Sequence, residues 1–486
     1  MHNLIPGVLA LVHNVVNAYF VVLAAYFIAG NGVYTLLMFL SIASVWLHKR
    51  SRAYEGLHLL RQSPATPPVT VIIPACDEEK VIVDSVRSVL KTDYPGLQVC
   101  VVDDGSSDTT LHRLIDAFNL APTALISRPR LPSRRVRSFF VSAEYPNLLV
   151  ISKDNGGKPD ALNAGLNMCR TPYFCTLDSD CILERDALLR LMWPVIHSPE
   201  PIAVSGGIVR VLDGCDVKDG QVVKVDVPHG ALQRFQVVEY LRSFLFGRTA
   251  WDLLGGTVIV SGAFALFHRE TVLEAGGFLS DTVTEDMELV VRLRRWAADQ
   301  GRILRTNFTS NPVCWAYCPH NHRMLERQRR RWQLGLCQTL WKHRRMIFNS
   351  RFGTLGLVSL PFQVMVEALG AAVELLGYVA ILLLACCDPS RLWFLVPVVL
   401  VGLASAGVLS VSAVVLEEMT HRRYRSTRSL AILLFYALVE NLGYRQLTLW
   451  YRFQGVVRFL AGRHHWEKVE HLVAERPLAS RLERVA

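Results

Sequence analysis

Between residues 4 and 47 the chain has no lysine, arginine, aspartate or glutamate. So long an uncharged stretch excludes a solvated surface segment. As one helix, at about 1.5 Å per residue, it would be roughly twice as long as the hydrocarbon layer is thick. The break at Gly30-Asn31-Gly32 therefore predicts a hairpin of two membrane helices, about 4–29 and 32–48, within residues 1–50. No basic segment precedes it, which argues against a cleaved signal peptide. Paired cysteines are lacking too: eleven are scattered without regular spacing. That excludes a disulfide framework and predicts free thiols in a reducing compartment. Cys314, Cys318, His320 and His322 lie close together, but their spacing matches no common zinc motif. Neither G-x-G-x-x-G nor G-x-x-x-x-G-K-[ST] follows the first expected strand, which disfavours a dinucleotide redox enzyme or an ATPase.

What is present is apolar and basic. Half of the 486 residues are hydrophobic, and 52 basic against 42 acidic residues leave +10. A basic balance suits nucleic acid, anionic lipid or phosphorylated substrates. Its placement selects the membrane over nucleic acid. Lys49, Arg50 and Arg52 follow the first apolar block, and Arg422, Arg423, Arg425 and Arg428 flank a later one, so both places read as cytoplasmic. The run 127–137 (SRPRLPSRRVR) reads as a mobile, solvated loop. Residues 353–461 hold the remaining membrane segments. Block 353–387 suggests an interfacial piece followed by one span, and 391–416 a further span. Segment 429–461 carries Glu440, Arg445, Arg452 and Arg458; it either spans or turns back at Asn441-Leu442-Gly443. The basic tail 462–486, with Arg463 and Lys468, favours turning back. Glu367 and Glu374 fall on one helical face at membrane depth. A sugar-lined conduit and a helix-packing contact suit them equally.

Residues 66–330 alternate strand-like and helix-like stretches. VTVIIPA (69–75), LQVCVVDDG (97–105), LLVISKD (148–154) and PYFCTLDSD (172–180) read as strands. Residues 79–91 read as a helix, and Pro159 suits the first turn of another. This is the pattern of an α/β domain with a mostly parallel sheet and ligands at the carboxyl ends of strands. Asp103, Asp104, Asp178 and Asp180 all lie at such ends.

Asp178 and Asp180, one residue apart on an extended segment, point to one side. Hard carboxylate oxygens suit Mg²⁺ or Mn²⁺, which would also bind a diphosphate. Lys158 follows two glycines before a helix, a place where backbone N–H groups and an ammonium can meet phosphate. Thr284-Glu285-Asp286 opens a helix with Thr284 as a plausible N-cap. Acidic residues there are ordinary dipole complements. The dipole lowers a carboxylate's pKa, whereas a base that removes a hydroxyl proton profits from a raised one. Gln328-Arg329-Arg330-Arg331-Trp332 begins a basic amphipathic stretch, with Trp332, Leu336 and Leu340 at four-residue steps. Residues 331–352 therefore read as an interfacial helix on anionic lipid.

Taken in order, these motifs resemble the membrane-embedded, processive family 2 glycosyltransferases, a group with cellulose, hyaluronan, chitin and poly-N-acetylglucosamine synthases. VVDDGSSDTT, NGGKPDALNAGL, TLDSD, VSGAF, TED and QRRRW carry the resemblance across residues 66–345. It implies a GT-A-type cytosolic catalytic domain and inverting transfer from a UDP-sugar. On that pattern Asp77 and Asp104 contact the nucleoside, Lys158 sits near the diphosphate, and Asp178 and Asp180 hold a metal–diphosphate unit. Asp286, beside Glu285, deprotonates the acceptor hydroxyl over the small-residue element Ser261-Gly262. Gln328, Arg331 and Trp332 order the diphosphate and the acceptor end. Asp77-Glu78 departs from the family's usual Asn-Glu, which weakens the role implied for Asp77.

The resemblance further implies a bacterial inner-membrane, multi-pass enzyme that passes a β-linked exopolysaccharide across the membrane. A small membrane subunit and outer-envelope export proteins are partners by the same analogy. The layout favours N-acetylglucosamine as the sugar, with glucose next. No tail long enough for a cyclic-dinucleotide-binding barrel is evident. Two other readings remain: a single-addition transferase on a lipid-linked acceptor, which commonly lacks Q-x-x-R-W, and a non-catalytic receptor, which would have lost a key carboxylate.

Overall fold

The computed structural model describes residues 4–50, 56–126, 128–387 and 392–463. At its centre is a ten-stranded sheet. Across it the strands run Leu120–Thr123, Val136–Ser142, Leu148–Lys153, Leu97–Asp103, Val69–Ala75, Tyr173–Leu177, Phe264–His268, Ile202–Val211, Arg305–Ala316 and Cys181–Leu183. Val136–Ser142, Phe264–His268 and Cys181–Leu183 run against the other seven. The α/β architecture with a mostly parallel sheet is thus the one the sequence pattern predicts. All seven residues of Val69–Ala75 are buried, as they must be in a strand covered on both faces. Alternate side chains enter separate cores: Val71 and Ile73 join Ile82 and Val86, and Ile72 joins Leu162 and Leu166 on the opposite side. Helix Lys158–Met168 lies so close that a methyl at Gly165 would be 2.5 Å from Ile72 Cγ2.

This topology gathers one edge of the sheet into a working surface. Strands Val69–Ala75, Leu97–Asp103, Leu148–Lys153 and Tyr173–Leu177 end there together. Phe264–His268 is antiparallel to Tyr173–Leu177, with Phe264 opposite Leu177. The residues that precede it, Ser261 and Gly262, therefore reach the same edge.

The membrane-facing part differs from expectation at several points. No hairpin forms at Gly30-Asn31-Gly32; Leu4–Arg50 is one helix of 47 residues. Nothing there forces a break. Asn31 donates to the Phe27 carbonyl and Thr35 to that of Asn31, so the polar side chains serve the helix itself. Among the described residues, three helices are long and apolar enough to cross a membrane: Val21–Leu47, Leu355–Leu383 and Leu400–Thr420. The first turns of the second are π-helical, at Leu355–Ser359 and Gln363–Ala368. Segment 429–461 is interrupted at the expected place, giving helices Thr427–Val439 and Tyr444–Leu460 with Gly443 at φ +108°.

Residues 331–352 are not a separate interfacial helix. The helix begins at His322 and runs to Lys342, and Gln333 to Leu340 are all buried. Leu336 and Leu340 pack on Met287 and Val291 rather than on lipid. The basic run 128–137 is not a loose loop either. Leu131 is buried, its backbone N–H and that of Arg130 bond Asn167, and Arg130 pairs with Glu270. One apolar residue within a basic run is enough to pin it. Arg52 and the tail beyond residue 463 lie outside the described residues.

Candidate active site

Lys158 joins the motifs. Its ammonium lies 2.6 Å from Asp178 Oδ1 and 3.2 Å from Glu285 Oε1, and it donates to the Gly262 carbonyl at 3.2 Å. Three segments far apart in sequence therefore converge on one cation. Burial alone would lower the Lys158 pKa, but Asp178 and Glu285 outweigh it and hold the group above the ordinary lysine range. The Asp178 N–H bonds the Ala263 carbonyl at 3.1 Å, which fixes the acidic turn against the Ser261-Gly262 element. Ser261 Oγ accepts from the Ala263 N–H.

Asp286 stands in the first turn of helix Glu285–Asp299, half-buried, over Gly262. The contest between dipole and burial goes to burial. Desolvation and then Glu285 push the Asp286 carboxyl up, against the pull of Lys158. Thr284 occupies the N-cap position without a side-chain cap bond. It packs instead on Gly335, where an added methyl would be 2.2 Å from Thr284 Oγ1. Arg331 lies one turn before Gly335 on the same helical face. Its Nε is buried without a hydrogen bond.

Gln328 and Trp332 come together through a residue that the motif leaves unspecified. Arg329 is buried, donates to Gln328 Oε1 at 2.6 Å and pairs with Glu239 at 2.7 Å. It also lies 4.3 Å from the Trp332 ring centroid. Trp332 keeps 39% exposure, enough to offer a ring face. Only a tertiary contact reveals Arg329, because one arginine in a run of three carries no sequence signal of its own.

Asp104 and Asp77 serve the protein first. The Asp104 carboxylate is buried and pairs with Lys153 at 2.5 Å. It also accepts from the N–H groups of Gly156 and Gly157, at 3.0 and 2.7 Å. It thus shapes the glycine turn before Lys158. Asp77, at φ +59°, accepts from the backbone of Ser107 and Asp108. A short polar side chain bonding nearby backbone tolerates this left-handed geometry. Glu78, named in its motif but given no role there, belongs to the acidic group with Asp178 and Asp180. Burial and then Asp180 push its carboxyl up to about 9. Among the described residues no group of three or more His, Cys, Asp or Glu side chains is arranged to hold a metal.

This assembly, a mixed α/β sheet with an acidic edge, a bridging lysine and a carboxylate over a glycine, has relatives. A profile described as "Glycosyl transferase family 2" matches residues 70–272, and one described as "Glycosyl transferase family group 2" matches 173–416. The chain belongs to this glycosyltransferase family. It is 24% identical over 267 residues to a poly-beta-1,6-N-acetyl-D-glucosamine synthase of Staphylococcus aureus, covering 55% of this chain and 54% of that protein. The enzyme of that name in Staphylococcus epidermidis is 23% identical over 268 residues, with the same coverage. The chain thus spans about half the length of the curated relatives it matches. Among solved structures, a mannosyltransferase of Pyrobaculum calidifontis in complex with GDP-Man and Mn²⁺ shares 18% identity. It aligns over 91% of this chain and 99% of its own, with a TM-score of 0.49.

Proposed function

We propose that this membrane protein is an inverting UDP-sugar transferase that lengthens a β-linked exopolysaccharide, with N-acetylglucosamine as its sugar. The observation that carries this reading is the convergence of Asp178, Glu285 and Gly262 on Lys158, with Asp286 lodged against the same glycine. The similarity to N-acetylglucosamine polymer synthases supports the choice of sugar.

Asp286 takes the proton of the acceptor hydroxyl. The freed oxygen bonds the anomeric carbon as the bond from that carbon to the diphosphate oxygen breaks on the opposite face. UDP departs with the electron pair, and Lys158 and Arg331 face its growing charge. Trp332 offers an exposed ring face to the acceptor sugar, and Gln328 is held beside it through Arg329. Asp104 acts on the donor through the glycine turn, and Asp77 through the 106–108 turn. Asp178 and Asp180 would hold Mg²⁺ or Mn²⁺. Two carboxylates completed by donor phosphates are an ordinary magnesium set. When bound, the ion supplies charge neutralisation for the leaving diphosphate.

We further propose a bacterial inner-membrane location with the catalytic domain cytoplasmic. If the three candidate spans among the described residues all cross, Lys49 and Arg50, the sheet domain and residues 422–428 fall on one side, and the positive-inside rule supports that side as cytoplasmic. Helix Tyr444–Leu460 packs along the helix that carries Arg331 and Trp332, which supports a tail on that same side. Export of the chain through the membrane region, with a small membrane subunit and outer-envelope partners, completes the proposal.

The test is UDP release by the purified protein in detergent, with Mg²⁺ or Mn²⁺, across a panel of UDP-sugars. Turnover with UDP-N-acetylglucosamine alone, abolished in Asp286→Asn, is expected. Polymer length then separates repeated from single addition. No turnover of any donor, with or without co-purified membrane subunits, overturns the reading.

A further inference from the structure

Gln333, the residue that follows Trp332, is tied to the membrane part of the chain through both polar atoms of its side chain. It is buried. Its Nε2 donates to the carbonyls of Glu367 and Ala368 at 3.0 and 3.3 Å, and its Oε1 accepts from Arg452 Nε at 2.9 Å. Arg452 in turn bonds the Glu367 carbonyl at 2.6 Å and the Glu367 carboxylate at 2.9 Å. Glu367 and Ala368 close the π-helical turn Gln363–Ala368 of the second candidate span. Tyr26, on the first membrane helix, donates to the two carbonyls before them, those of Met365 and Val366. Four successive carbonyls of one turn thus accept from side chains on three other helices. Turns of this kind are rare and recur at functional places.

The same helix, His322–Lys342, also meets the base motif. Thr284 lies against Gly335, and Gln338 Oε1 accepts the Val283 N–H at 3.0 Å. Trp332, the opening of the Asp286 helix and the π turn are therefore joined through one rigid element. Helix Tyr444–Leu460 closes on it so tightly that a methyl at Gly455 would lie 2.8 Å from both the Arg330 carbonyl and Gln333 Cβ. A buried amide is costly unless bonded, and polar contacts of this kind fix register more than they add stability.

We infer that Gln333, held by Arg452, is a positioning residue. It keeps the transfer site, with Trp332 and Asp286, in one register against the membrane helices, so that a growing chain stays aligned from one addition to the next. The inference rests on the transferase reading above. Its signature is product length: loss of the register interrupts growth while donor binding, which uses the opposite side of the site, persists.

Gln333→Met and Arg452→Lys in the full-length protein test it, with UDP-N-acetylglucosamine as donor. UDP affinity, measured by calorimetry, should stay within about twofold in both variants, as expected of distant sites. UDP release with a short β-linked N-acetylglucosamine oligosaccharide should continue. Mean product length should fall by about fivefold or more in Gln333→Met, because small misplacements are costly at every addition, and by less in Arg452→Lys, which keeps the charge beside Glu367. Unchanged product length in both variants overturns the inference. So does a parallel loss of UDP affinity, which would make Gln333 a residue of the fold alone. If Gln333→Met does not fold, Arg452→Lys decides, through shortened product at unchanged UDP affinity. Wild-type protein that adds only one sugar to the oligosaccharide also overturns the inference but leaves the transferase reading standing, whereas wild-type protein that turns over no donor refutes both.

Discussion

The Asp286 carboxylate rests directly on Gly262: a methyl group built there would lie 2.8 Å from Oδ2 and 3.0 Å from Cγ. The glycine is required by space, since its carbonyl also holds Lys158. Gly262→Ala must push the base away from the acceptor. A displacement near 1 Å can cost roughly 100-fold in rate, so turnover should fall by that order while UDP affinity persists. Transfer at the wild-type rate would show that the base does not need this seat.

The pH profile should report the raised Asp286 pKa. A general base works only when deprotonated, so UDP release falls as pH drops through that value. Glu285 is the second cause of the elevation, after burial. Glu285→Gln removes a like charge and should lower the Asp286 pKa, moving the acid limb to lower pH. A limb that stays in place or moves upward contradicts the coupling.

Local signals made half of this legible in the sequence. Strand Val69–Ala75 and the acidic strand ends were readable because a buried apolar run punctuated by Gly, Pro and Asp is a short-range pattern. Asp178, Lys158, Glu285 and Asp286 were singled out by motif, and the fold brings them together. What was not legible depends on partners distant in the chain. Arg329 finds Glu239, and Lys153 finds Asp104 and Asp160. Glu367 finds Tyr34 and Arg452, and Glu374 finds Arg445. That pairing favours the packing reading of the two membrane glutamates over the conduit. Nor does an uncharged stretch reveal whether two glycines bend it; packing keeps Leu4–Arg50 a single helix.

Asp104 carries a prediction that separates two roles. Its removal leaves Lys153, fully buried, with Asp160 as its remaining carboxylate. Breaking a buried pair by deleting one partner costs on the order of 3–5 kcal/mol, and Asp160 should hold Asp104→Ala near the lower end. Thermal unfolding in detergent without nucleotide should show the loss. A side chain whose only duty was to touch the nucleoside would leave that transition unmoved.

Metal dependence should be conditional. Chelation is expected to stop UDP release, and Mg²⁺ or Mn²⁺ to restore it. The described residues offer no three-ligand cage, so calorimetric titration with metal alone should give weak or no binding. Binding should tighten once UDP is present, because donor phosphates complete the coordination. Tight binding without UDP would point to a resident metal site elsewhere in the chain.

A buried ion pair joins the central sheet to the third candidate span, beside the apolar contacts of Ala413, Val414 and Leu416. Arg210, in the wholly buried strand Ile202–Val211, meets Glu417 through two bonds of 2.6 and 2.7 Å, and His421 stands 3.4 Å away. Both partners are almost inaccessible, at 1% and 3% side-chain exposure. Desolvation offsets much of the attraction in such a pair, so its loss as a unit is mild while its half-loss is severe. Arg210→Met or Glu417→Leu alone should therefore destabilise the protein by about 3–5 kcal/mol. The double substitution should recover most of that loss in detergent unfolding. A double variant as unstable as either single one would show that the ions themselves, and not the filled volume between strand and helix, hold the catalytic domain to the membrane.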